Sequence, residues 1–405
     1  MVQSRWRAEY YSCECKSVTS LRAKRSNLTV KIKNQKSKIK SFKKFLLTLP
    51  LFAFLPLFSF PQQSTIVSAS ASPVDTSKID TNYVKLYKNQ LIVALWQSER
   101  SFDLTLAQKM VADSGLSTIN YIANSNHVSG VSLDFDILSL AFGYRSVPSG
   151  DKRTGSTDYL DFGFNINTSG LRFENSYKRY TGFYDKNTPK YVQPFNLDST
   201  PYFQNPSMNI RVIKSKMIYA ISHKRFSLSG AYANVRRQVK SAGSVLLVYN
   251  FYGLSMRCNS SIIPPPLQKY YGPVWDGLNR MNIYAFSAGA GLTRTFVIFK
   301  KFYINFFGSL GLERQYRHFY TYPENAHFRY WKTWFAGDWR TALGYNGKRF
   351  FIRATSIYDL NNYESNDLRF EMKFIMGSFD FGYRFNFKPP KPYRKFQETK
   401  AYKML

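Results

Sequence analysis

Residues 368–387 read LRFEMKFIMGSFDFGYRFNF. Leu368, Phe370, Met372 and Phe374 alternate with Arg369, Glu371 and Lys373. After Met376-Gly377-Ser378 the phase flips, and Phe379, Phe381, Tyr383, Phe385 and Phe387 alternate with Asp380, Gly382, Arg384 and Asn386. Successive side chains of a strand point to opposite faces, so each half has one apolar and one polar face. A change of phase reads as a tight turn or a bulge, because a slip of one residue swaps the faces.

The pattern recurs along the chain. In DYLDFGFNINTSGLRFENSYK (158–178), Leu160, Phe162, Phe164 and Ile166 alternate with polar residues and glycine. Thr168-Ser169-Gly170 supplies a turn, and Leu171, Phe173 and Tyr177 resume the alternation opposite Arg172, Glu174 and Lys178. This predicts a hairpin. Similar runs occupy 132–144, 226–232, 302–313 and 338–345, with a phase flip at Leu138. Between 88 and 387 the pattern gives roughly 12–14 strands, most of them of membrane-spanning length. Helical periodicity is scarce, and 104–116 reads equally as a short helix or a strand pair.

Upstream, residues 40–63 read KSFKKFLLTLPLFAFLPLFSFPQQ. The apolar run from Phe45 to Phe60 is shorter than the ~20 residues of a spanning helix, and Pro50 and Pro56 interrupt it. Lys40, Lys43 and Lys44 precede it and small residues follow, the layout of a cleavable signal peptide. The expected organisation is a basic leader over 1–37, read as a product of start-site choice, then a signal peptide over 38–71 and a linker over 72–86. A barrel domain follows over 87–387, then a basic Pro/Lys-rich tail over 388–405.

Composition narrows the class. Phe, Tyr and Trp make up 18% of the chain, with 35 Phe and 30 Tyr, and no later stretch is apolar enough for a second spanning helix. Export, aromatic wealth and no hydrophobic helix leave a closed antiparallel transmembrane β-barrel as the membrane option. A soluble β-sandwich or a periplasmic lipid-binding β-protein would alternate too, but needs no such aromatic density. After the leader, Cys258 is the only cysteine, so no internal disulfide is expected there. Residues 1–44 hold 13 Lys/Arg against Glu9 and Glu14, and the remaining chain is still strongly basic. For an exported barrel this predicts anionic partners, namely outer-membrane lipid and lipopolysaccharide, and not nucleic acid.

Three short motifs, His223-Lys224-Arg225-Phe226, Phe299-Lys300-Lys301-Phe302 and Gly347-Lys348-Arg349-Phe350, each fall between alternating runs. They read as hairpin tips whose aromatic re-enters the membrane interface. Long connections are expected near 179–208, 259–280 and 316–333. The strand assignments do not put all three tips on one side. The last run, with aromatics at every second position up to Phe387, is the expected signal for the barrel-assembly machinery.

Several segments carry a family resemblance: HKRFSLSGAY (223–232) followed by RQVKSAGSVLL (237–247), ALGYNGKRFFI (342–352), FDFGYRF (379–385) and YKRYTGFY (177–184). Their order and spacing resemble a family of Bacteroidetes proteins, domain-of-unknown-function family 4421, over about 85–387. The resemblance implies an exported outer-membrane barrel of a Gram-negative bacterium and no particular activity.

Chemistry is sparse. His127, His223, His318 and His327 lack metal-ligand spacing, although His318 and His327 share one predicted loop. A lipid-hydrolase barrel would have to draw on Ser139 or Ser229 with His127 or His223, which no spacing singles out. No catalytic residue, cofactor or metal is expected. The candidate functional groups are lumen charges: Arg172, Glu174, Arg369, Glu371, Lys373, Asp380 and Arg384. They would line a pore or lock a plug. The expected function is therefore a pore or transport-related outer-membrane barrel. The alternative is a structural or surface-binding barrel acting through its loops.

Overall fold

The computed structural model describes residues 79–402, apart from 88, 109–117, 125–126, 147–150, 323–326, 365–367, 400 and 401. The expected leader and signal peptide fall outside the described residues. Among the described residues there are fifteen strands: β1 (Val84–Leu86), β2 (Gln90–Gln108), β3 (Ile119–Ile122), β4 (His127–Phe135), β5 (Leu138–Arg145), β6 (Asp158–Asn167), β7 (Leu171–Asp185), β8 (Gln204–Ala220), β9 (Arg236–Gln238), β10 (Ala242–Arg257), β11 (Leu278–Ile298), β12 (Phe302–Thr321), β13 (His327–Asn346), β14 (Phe350–Glu364) and β15 (Leu368–Asn386). The helices are short: α1 (Thr188–Tyr191), α2 (Leu228–Tyr232), α3 (Gln268–Trp275) and α4 (Lys391–Glu398).

Each long strand pairs antiparallel with its neighbours, and β15 pairs with β2 from Asn386↔Gln90 to Leu368↔Gln108. The result is a closed barrel of 12 strands, with no free edge along this seam. Strand β3 continues β4 along β2, as Ile122 faces Asp103 and His127 faces Glu99. The short hairpin β5–β6 stops at that level, and above it β3 pairs directly with β7 through Tyr121↔Asp185 and Ile122↔Tyr184.

The connections at one end are short: 136–137, 168–170, 299–301 and 347–349. The exception is 221–241, between β8 and β10. This is the turn end, and it also holds the first residue of β2 and the last of β15. The longer connections, 186–203 and 258–277, lie at the opposite, loop end. All three basic-aromatic motifs thus fall at one end, which corrects the mixed assignment drawn from the sequence. Two are hairpin tips; 223–226 instead opens the long connection 221–241. Residues 316–333 are also not a loop, because β12 runs to Thr321 and β13 starts at His327.

Strand β15 explains the sequence pattern, with a correction. It is one uninterrupted strand across Met376-Gly377-Ser378, paired residue for residue with β14 and β2. The even positions from Leu368 to Arg384 face inward throughout. What changes is the surroundings. From Ile375 to Phe385 the outward side chains are mostly apolar and exposed, whereas Leu368, Phe370 and Met372 are buried inside and Arg369 and Lys373 are exposed outside. Polarity inverts because the lower wall faces hydrocarbon and the upper wall faces water. By contrast, the flip at Leu138 is a real turn, with Asp136 at φ 52°.

The outward apolar belt surrounds the barrel: Leu95, Leu133, Phe142, Phe162, Ile213, Leu247, Phe286, Leu310, Trp339, Ile352 and Phe379 are all exposed large hydrophobics of the outer wall. Such a belt, with polar groups inside, is the signature of a transmembrane barrel.

The interior has three tiers. At the turn end, 221–241 folds into the barrel. Phe226, Leu228, Ala231, Ala233 and Val235 are buried there against Ile218, Leu246, Phe307, Tyr303, Phe351 and Ile92 of the wall. The middle tier is charged. At the loop end a hydrophobic core forms from Leu104, Tyr121, Ile210, Leu254, Met281, Phe319 and Phe370, joined by Ile262, Ile263, Leu267, Tyr271 and Trp275 of 258–277. The tail continues past Phe387 as α4, which lies over the β4–β5 turn. The Tyr393 hydroxyl and the Gln397 amide donate to Asp136 Oδ2 at 3.0 and 3.1 Å, as does the Tyr402 hydroxyl at 2.5 Å.

Candidate functional site

Between the inserted segment 221–241, a plug at the turn end, and the apolar core at the loop end lies a cavity of about 280 Å³. Its walls come from both sides of the barrel. Strand β8 reads Ile210, Val212, Lys214, Lys216, Ile218 at its inward positions, so two lysines enter an otherwise apolar series at mid-height. Strand β13 supplies Asp338 and Arg340 from the opposite wall, both buried. On β2, Trp96 and Arg100 face in. Inward Gly130 and Gly143 give the Trp96 indole its space, since a Cβ on either would sit within 2.1 or 2.3 Å of the ring.

The charges pair across the lumen. Arg340 of β13 donates to both carboxylate oxygens of Glu174 on β7, at 2.9 and 2.8 Å, and to Asp338 of its own strand at 2.7 Å. Lys216 of β8 contacts the same Asp338. Lys214 reaches Asp359 of β14 at 2.7 Å. Arg172 pairs with Glu174 at 2.6 Å, Arg100 with Asp161 at 2.6 Å, and Arg353 with Asp380 at 3.1 Å. The Lys178 ammonium lies 3.9 Å from the ring centre of Phe374 on the far wall. At least three strands separate β7 and β8 from β13 and β14, so Arg340–Glu174, Lys216–Asp338 and Lys214–Asp359 are struts between walls, whereas Arg172–Glu174 lies within β7 and Arg353–Asp380 joins the neighbouring strands β14 and β15. Charges taken from water tolerate burial only when so paired.

The predicted lumen residues divide. Arg172, Glu174, Asp380 and Arg384 face inward. Arg172 and Glu174 belong to the struts. Asp380 joins Arg353, and Arg384 lies lower, where it donates to Asn234 O at 2.8 Å and Asn346 Oδ1 at 2.6 Å and so fastens the plug to the wall. Arg369, Glu371 and Lys373 do not line the lumen. They are on the outer face above the belt, where Glu371 lies 3.5 Å from Arg369 and 3.7 Å from Lys373. The polar half of an alternating run faces the lumen only at membrane height; above it, the polar half faces water. The C-terminal aromatics Phe379, Phe381, Tyr383 and Phe385 all point outward from β15, and Phe387 follows it.

The hydrolase residues are not assembled. Ser139 is buried on the inner wall and accepts from Asn167 Nδ2 at 2.9 Å, while His127 starts β4 at the other end of that hairpin. Ser229 is buried in the plug, and His223 precedes it at the turn end. His318 and His327 do come together, with ring centres 5.5 Å apart, on the outer face of β12 and β13. Among the described residues no group of His, Cys, Asp and Glu has metal-binding geometry.

Sequence reasoning missed Lys214, Lys216, Asp338 and Arg340 as a unit. Their signal is a pair of charges at same-face positions inside otherwise apolar or small-residue series. The plug, 221–241, overturns one reading: the alternation over 226–232 is not a strand, since 228–232 forms α2 inside the barrel.

The fold resembles several solved barrels. The Escherichia coli outer membrane protease OmpT aligns over 76% of this chain and 100% of its own, with 8% identity and a TM-score of 0.37. The β domain of the Bordetella autotransporter BrkA aligns over 73% and 99%, with 12% identity and a TM-score of 0.31. The Pseudomonas putida toluene transporter TodX aligns over 73% and 90%, with 8% identity and a TM-score of 0.26. Likeness at this level carries no argument about activity. No curated protein matches the sequence. A family model matches residues 78–385, which is most of the chain and nearly the whole barrel. The chain is an outer-membrane-type β-barrel and belongs to the family described as a domain of unknown function, DUF4421.

Proposed function

We propose that this protein is a closed, non-conducting barrel of the outer membrane that works through its loop end, as a surface-binding or structural element rather than as a pore or an enzyme. One observation carries the reading: the lumen is crossed by ion pairs between opposite walls, Arg340–Glu174, Lys216–Asp338 and Lys214–Asp359. The packed 221–241 segment below and the apolar core above reinforce it. A transport channel needs a continuous polar path, and here the polar tier is bounded by packed side chains at both ends. Export through the N-terminal signal and delivery of β15 to the barrel-assembly machinery belong to the same reading. By the usual placement of short turns in the periplasm, the loop end faces outward from the cell.

Planar-bilayer recording on the purified barrel tests this. The expected record is flat, with no unitary steps. Deletion of 225–240, bridged by a short Gly/Ser turn, is expected to give at most noisy leakage, because the wall-to-wall pairs remain. Stable unitary steps from the wild-type protein would overturn the reading and restore the pore.

A further inference from the structure

Just above the belt, the outer wall from β7 to β13 carries one or more arginines on every strand: Arg179, Arg211, Arg257, Arg280, Arg314 and Arg329, all exposed. Each is near the upper border of the apolar face. Arg314 comes two residues after Leu312, Arg211 two before Ile213, and Arg280 four before Tyr284. The register sets them against one another. Arg179 is directly opposite Arg211, Arg257 is directly opposite Arg280, and Arg329 faces His318. Like charges opposite each other in a sheet are destabilising. No acidic partner pairs with any of the six among the described residues. The other wall at the same height is different, since there Glu371 lies between Arg369 and Lys373.

Aromatic side chains hold two of these guanidinium groups in place. Arg280 lies 5.1 Å from the Tyr320 ring centre and Arg314 5.4 Å from that of Trp331. Arg314 also donates to Thr333 Oγ1 at 2.9 Å. Stacking leaves the guanidinium edge, with its forked donors, free for a phosphate. The local field is positive, because Arg329 lies directly opposite His318, whose ring centre is 5.5 Å from that of His327.

We infer that the β10–β13 part of this arginine girdle is a binding site for the phosphate groups of glycolipid headgroups in the outer leaflet, seated beside Trp331 and Tyr320. The geometry favours a lipid over a free ion. The arginines stand directly above an outward hydrocarbon-facing wall, Leu310, Leu312, Phe286 and Phe335, so one molecule meets both surfaces. The inference rests on the membrane orientation given above, but not on whether the lumen conducts.

The test uses the purified full-length barrel in detergent, titrated with bisphosphorylated lipid A and followed by tryptophan fluorescence. The variants are R257S/R280S and R314S/R329S, made separately, with R369S/K373S on the opposite wall as control. Slower migration after boiling reports that each variant is folded, and is read independently of binding. Saturable binding is expected in the wild type and the control, weakened about tenfold or more in each girdle variant and falling with added salt. Dephosphorylated lipid A and inorganic phosphate are expected to bind at least tenfold more weakly. Equal binding by folded girdle variants, equal binding of the dephosphorylated lipid, or inorganic phosphate matching the lipid would each overturn the inference. A barrel that shows no migration shift in the wild type would instead sink the membrane reading itself.

Discussion

Below Met376, β15 turns Phe379, Phe381 and Phe385 outward and Asp380 and Arg384 inward; above it, Phe370 and Met372 go in while Arg369 and Lys373 go out. The backbone does not change between the two halves. The lower half obeys the rule of a membrane wall and the upper half that of a water-soluble barrel with its own core. The difference teaches that alternation reports the medium on each side of a strand. The strand's direction has to come from pairing.

If the upper tier is a dry core, Cys258 should be chemically silent. Burial pushes its thiol up to about 12, so it stays protonated at pH 8. Alkylation by iodoacetamide in the folded barrel should be slower than in the unfolded chain by on the order of a thousandfold. Rapid labelling of the folded protein would break the comparison. In the charged tier, Arg340→Leu leaves Glu174 and Asp338 each short of a partner. It should cost about 3–5 kcal/mol in urea unfolding from lipid vesicles, and a neutral result would mean that the struts are solvated. In the core above, Phe370→Ala removes a fully buried ring stacked 5.4 Å from Phe319 and should cost about 3–5 kcal/mol. At membrane height, Leu310→Arg should cost about 2–4 kcal/mol; a cost near zero would move the belt. Least affected should be Lys373→Ser, outward and above the belt, within about 0.5 kcal/mol. If it matched Leu310→Arg, the upper half of β15 would be embedded as well.

Much of this fold was legible because period two and aromatic density both follow from the belt. The barrel, its last strand β15 and two of the hairpin tips were read from those signals. Two phase flips looked alike, however. At Phe135–Leu138 the chain turns, with Asp136 in the left-handed region; at Phe374–Phe379 it runs straight. Reading both as local geometry put Arg369, Glu371 and Lys373 in the lumen and confused the sidedness of the turns. The candidate site was half legible. Arg172 and Glu174 stood out in a clean hairpin, but Glu174 meets Arg340 across 166 residues of chain, and Lys216 meets Asp338 across 122. No local pattern announces a contact across a lumen. The plug was misread rather than missed: 226–232 alternates as a strand does, but 228–232 is the helix α2, packed inside the barrel, where a short apolar run needs no strand partner.

The seam between β2 and β15 has a kinetic consequence. The first and last strands of the barrel pair over 19 positions, from Gln90↔Asn386 to Gln108↔Leu368. Until the C-terminal strand arrives, β2 and β14 each present a long unpaired edge, the kind of surface that templates aggregation. Closing a loop of nearly the whole domain is slow, because the entropy of joining distant segments is lost before their contacts form. The chain therefore spends its folding with two sticky edges, and the rate at which β15 is delivered governs how long that exposure lasts.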